Sequence, residues 1–165
     1  LEEDEIGKYA QKVLTGYELD LVDNWALNEG RENFSYDKAV GGSDMILMGT
    51  SWTVPEGISM KLDGEKGIKL KSEYFNRKAY DDYTLMFWFR TEQADGTLMA
   101  NGMAQDEANS GMHFNIGVEN GKLVFRSAGQ EVNSQTYVSD GAWHHFAVTV
   151  NRQAKIGRAS CRERV

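Results

Sequence analysis

Cysteine and proline are almost missing from this sequence: 165 residues hold one of each, Cys161 and Pro55. A lone thiol supplies no disulfide framework and says nothing of redox compartment. Long apolar runs are absent too, and mean hydropathy is -0.54, so nothing in the sequence inserts into a membrane as a helix. Basic residues are outnumbered, 18 Lys and Arg against 25 Asp and Glu, for a net charge of -7. That balance excludes a nucleic-acid partner, whose phosphates call for a basic face. The opening residues Leu1-Glu2-Glu3-Asp4-Glu5 are neither an initiator methionine nor a signal peptide, and the expectation is that the natural start lies upstream. What is present is 17 glycines, 11% aromatic and 41% hydrophobic residues. This composition suits one domain with a sizeable core and a turn-rich β fold.

Residues 2–16 read as a helix, because Ile6, Tyr9, Ala10, Val13 and Leu14 fall on one helical stripe. The acidic run from Glu2 to Glu5 suits the positive end of the helix dipole, and Gly16 is a natural stop. Beyond Gly16 the pattern is strands and turns. Asp63-Gly64, Asp95-Gly96, Asn120-Gly121 and Asp140-Gly141 are turn dipeptides. Phe114, Ile116 and Val118 alternate before Asn120-Gly121, and Leu123 and Phe125 alternate after it, which predicts a hairpin over 112–127. Residues 83–90 predict a strand with Leu85, Phe87 and Phe89 on one face and Met86, Trp88 and Arg90 on the other. Residues 143–150 predict another, with Phe146, Val148 and Val150 together. Apolar residues on both faces imply strands packed in a sandwich. No βαβ alternation appears, which argues against a doubly wound fold.

Several segments resemble one family. The run from Asp140 to Val150, a turn feeding Trp143-His144-His145, is similar to the signature of laminin-G-like domains. Residues 83–90 resemble that family's earlier aromatic strand, and 115–125 its intervening hairpin. Residues 25–30 and 58–64 look like its opening strands. The resemblance covers about 19–152 and implies an all-β, antiparallel jelly-roll β-sandwich of the concanavalin-A-like kind with a short N-terminal helix. It further implies an extracellular or cell-surface location and a non-catalytic module that binds glycans or surface proteins. A structural spacer in a tandem array and an accessory domain of a glycoside hydrolase are the alternatives.

The expected organisation has three parts. Residues 1–18 resemble the C-terminal helix of a preceding module or linker, and 19–154 form a sandwich truncated at its C-terminus, lacking the family's closing strands. Residues 155–165 are expected to be a non-native tail: Ile156 to Val165 resembles a translated sequencing adapter. The adapter read ATC GGA AGA GCG TCG TGT AGG GAA AGA GTG encodes those ten residues in order. The segment also lacks strand alternation and carries Arg158, Arg162 and Arg164.

No catalytic residue is expected. Glucanases of this architecture carry Glu-x-Asp-x-Glu on a strand, flanking the sugar bond with nucleophile and acid/base. Here Glu2-Glu3-Asp4-Glu5-Ile6 breaks the pattern at Ile6, and Asp81 and Asp82 are adjacent, so in a strand they face opposite ways. Adjacent His144 and His145 likewise point apart and are poorly placed to chelate one ion with His113. The resemblance implies calcium at the rim, for which Asp106, Glu107 and Asn109 offer hard oxygen ligands. Trp88, with Arg90 beside it, is the candidate ligand-binding surface, since an aromatic ring can stack on a sugar.

Overall fold

A computed structural model describes residues 1–31, 33–48, 51–53, 59–64, 68–70, 82–101, 114–127, 129–151 and 156–163. The chain divides into two compact units, Leu1–Lys12 with Arg77–Val165, and Val13–Asn76.

The second of these is built from short pieces. Strands β1 (Phe34–Ser35), β2 (Met45–Leu47) and β5 (Ile68–Leu70) form one antiparallel sheet, and β3 (Ser51–Thr53) pairs with β4 (Ser59–Lys61). Ser35, Ala39, Met45 and Leu47 are buried. The predicted opening strand at 25–30 does not form. Positive φ at Leu27 (52°) and Gly30 (69°) interrupts extension there, and Trp25 pairs with Asp37 in an isolated bridge while its indole Nε1–H donates to the Ser43 carbonyl at 2.8 Å. Asp37 organises the loops instead: its Oδ1 accepts the Asn24 and Ala39 amides at 2.9 and 2.8 Å.

The other unit begins with α1 (Glu3–Ala10), where the Glu2 amide donates to Glu5 Oε2 at 3.0 Å. The helix stops well short of the expected Gly16. A local competitor takes over in the neighbouring segment. The Glu18 carboxylate accepts the Thr15 and Gly16 amides, each at 3.0 Å, and the Thr15 hydroxyl at 3.1 Å. Side-chain acceptors of this kind offer backbone amides an alternative to the helical ladder. Val13, placed on the stripe by periodicity, is 82% exposed.

All remaining strands are antiparallel. One sheet runs β10 (Gln130–Tyr137), β9 (Lys122–Ser127), β8 (Phe114–Glu119), β7 (Gly96–Asn101). The other runs β12 (Ile156–Glu163), β11 (Trp143–Asn151), β6 (Tyr83–Arg90). Together they make the all-β sandwich that the alternation predicts. Hairpin β8–β9 turns on Asn120 and Gly121, with φ of 49° and 74°, the pair of left-handed residues a type I′ turn requires. Its buried row is Phe114, Ile116, Val118, Leu123 and Phe125. On the second sheet Phe87 lies opposite Phe146, their rings 4.9 Å apart, and Phe146 and Val148 are fully buried.

β10 and β12 lack the apolar alternation that marks β6, β8, β9 and β11. β10 carries no apolar alternation to announce it; it is a mostly exposed edge whose ladder with β9 needs only backbone. The segment 156–163 belongs to the stretch expected to be a non-native, adapter-derived tail, and it shows no alternation. It pairs along β11 from Asn151↔Ile156 to His144↔Glu163. Ladder hydrogen bonds join main-chain groups, so a strand can form without a two-residue pattern.

Candidate functional site

Register decides which side chains meet. On β6 and β11, Trp143 lies opposite Arg90, His145 opposite Trp88, Ala147 opposite Met86 and Thr149 opposite Thr84. Opposed residues of an antiparallel pair share a face, so these eight form one surface. Phe87, Phe89, His144, Phe146 and Val148 form the other face of the same two strands.

The first surface changes character along its length. At one end the Thr84 and Thr149 hydroxyls lie 3.1 Å apart, and Thr149 Oγ1 donates to the Leu1 carbonyl at 3.4 Å. At the other end the side chains are large, with Trp88 and Arg90 exposed, Trp143 half-buried and His145 buried. Trp88 is 37% exposed and its ring sits 5.1 Å from that of His145, itself 4% exposed. The Arg90 guanidinium stands 5.7 Å from the Trp143 ring centroid, within cation–π range. An indole backed by an imidazole and an arginine spread over a second indole give flat apolar faces edged with N–H donors. Such a surface can hold the C–H face of a sugar ring while donating to its hydroxyls.

The expected pairing of Trp88 with Arg90 is thus present on one face. Trp143 and His145 complete it, and sequence reading assigned them no place there. Their odd-numbered positions put them on one face of β11, but only the register with β6 shows that this face is the one bearing Trp88.

The two adjacent histidines point to opposite sides, as neighbouring strand residues do. His144 is 1% exposed, stacks near Phe89 at 5.9 Å, and its Nε2 lies 2.8 Å from Asp140 Oδ1. An ionised carboxylate can only accept, so Nε2–H donates. That bond, helped by the Ala142 amide, holds the Asp140 carboxyl below its ordinary range. Within the pair His144 is buried, whereas 48% of the Asp140 side chain is accessible at the turn.

A second charged group lies on the four-stranded sheet. Arg126 donates from Nε to Glu131 at 2.8 Å and from its terminal nitrogens to both oxygens of Glu119. The Arg126 hydrogen bond lowers the Glu119 carboxyl, and the Asn133 amide followed by Arg126 lowers that of Glu131. One guanidinium on β9 bridges a carboxylate on β8 and another on β10, which fits cross-strand stabilisation.

Asp106, Glu107 and Asn109, expected to offer calcium ligands, fall in 102–113 together with His113, outside the described residues. Asp81 also lies outside them. Among the described residues no group of three or more His, Cys, Asp or Glu side chains is arranged to hold a metal ion. Among them, too, no helix is long and apolar enough to cross a membrane.

Two antiparallel sheets with a Trp-His strand against an aromatic strand define a sandwich of the jelly-roll class. The model of a laminin G family, described as the concanavalin A-like lectin/glucanases superfamily, matches residues 62–159, and the chain belongs to that family. No curated protein matches it.

Proposed function

We propose that this chain is a non-catalytic binding module of a multidomain extracellular or cell-surface protein, and that it meets glycans through Trp88, Arg90 and Trp143. The observation that carries the reading is the exposed Trp88 beside the Arg90–Trp143 pair on a continuous β6–β11 ladder. Rings fixed on strands lose little freedom on binding, so their contact area converts efficiently into affinity. The lack of a Glu-x-Asp-x-Glu strand supports binding without hydrolysis.

The test is titration of the ¹⁵N-labelled chain with neutral and acidic oligosaccharides, following the indole N–H signals. A binder should shift the signals of Trp88 and Trp143. Trp88→Ala and Trp143→Ala should each weaken binding by roughly 2 kcal/mol, about thirtyfold, as aromatic anchors do. A panel that moves neither indole would reject this face as a glycan site and favour a spacer role. Steady release of reducing ends from a β-glucan would overturn the non-catalytic reading.

A further inference from the structure

The backbone that places Trp143 beside Arg90 is held at three points. Asp140 Oδ1 accepts two donors at once, the Ala142 amide at 2.9 Å and His144 Nε2–H at 2.8 Å. The Gly141 amide donates to the Thr91 carbonyl at 3.0 Å, one residue beyond Arg90. Gly141 has φ of 77°, a conformation that favours glycine, and a Cβ there would stand 3.2 Å from Glu92 Oε1. Trp143 therefore sits between two residues, Ala142 and His144, that are tied to the same carboxylate oxygen. The tie crosses the sheet: His144 and Trp143 lie on opposite faces of β11.

We propose that Asp140 and His144 are positioning residues that set the indole of Trp143 over Arg90, an inference that deepens the binding reading above. His144 is suited to the task because burial against Phe89 leaves its ring little freedom. Asp140 is half exposed, with 48% of its side chain accessible, so it couples a fixed interior ring to a surface turn. Nδ1 of His144 has no hydrogen-bond partner among the described residues, which leaves the Asp140 bond as the polar restraint that orients the imidazole.

The experiment uses the full chain and needs no ligand, so its outcome is independent of whether glycans bind. The indole signals of Trp25, Trp52, Trp88 and Trp143 are assigned by single Trp→Phe changes. In His144→Leu the interior stays apolar and Asp140 is free to hydrate, so the fold should persist. The Trp143 indole should shift and broaden and the Ala142 amide should exchange faster, while Trp25 and Trp52 stay unchanged. Asp140→Ala should do the same. Asp140→Asn, which keeps an Oδ1 acceptor, should restore the wild-type Trp143 signal. A merely structural role predicts a changed melting temperature with an unchanged Trp143 indole. That pattern in His144→Leu, or failure of Asp140→Asn to differ from Asp140→Ala, would overturn the proposal.

Discussion

Single side chains here act chiefly as acceptors for stray backbone amides. Glu18 is the clearest case, since amide donors from Thr15 foremost lower its carboxyl to about 2. A carboxyl whose folded pKa is depressed adds stability above its unfolded value, and that stability is lost as pH falls towards the folded one. The Thr15–Gly16 turn should therefore keep its amide protection at neutral pH and lose it between about pH 4.5 and 2. Glu18→Gln should flatten that profile, as hydrogen exchange at the two amides would show. Gly16 is itself constrained: φ is 93°, and a Cβ would overlap the Lys38 carbonyl oxygen. Asp140 was legible as a turn residue in Asp140-Gly141, but neither its pairing with His144 nor that of Glu18 with Thr15 was. Partner choice at that scale depends on distances of a few tenths of an ångström that no one-dimensional pattern records.

At the scale of elements, alternation was a sound guide wherever one face is buried. β6, β8, β9 and β11 lie within a residue or two of their expected bounds. Their periodicity is strong because a one-residue slip would turn Phe146 or Ile116, both fully buried, out to water. Phe146→Ala should cost about 3–5 kcal/mol through lost transfer energy and a residual cavity, read as a fall in the denaturant midpoint at constant m-value. Elements without a buried face were misread. The stripe from Ile6 to Leu14 overextended α1, since a repeat of apolar residues says nothing of a carboxylate poised to capture the next turn. β10 was missed because edge strands need no apolar row. A short strand such as β1, two residues long, is too brief for any period to register.

Across the whole molecule, the sandwich unit gathers Leu1–Lys12 and Arg77–Val165, so its two ends in sequence belong to one body. β12 covers one edge of β11, the strand that carries both Phe146 and Trp143. Ending the chain at residue 154 should open that edge, and an uncovered strand edge is a template for pairing with another chain. The expected result is concentration-dependent association by light scattering and a broadened thermal transition. A monomeric species with an unaltered melt would show that β11 does not depend on β12 for cover.

Composition and alternation alone determined that this chain builds antiparallel sheets, where the Asn120-Gly121 hairpin turns, and which rows become core. These are local properties: side-chain period, left-handed turn residues and apolar content each act over a few positions. Tertiary structure alone decided that Trp143 and His145 join Trp88 and Arg90 on one face, that His144 is tied to Asp140, and that 156–163 enters the sheet. The first of these depends on register between strands far apart in sequence. The residues of β6 and β11 in direct opposition are separated by 53 to 67 positions, and only the pairing of whole strands, with the burial it achieves, selects one register among many.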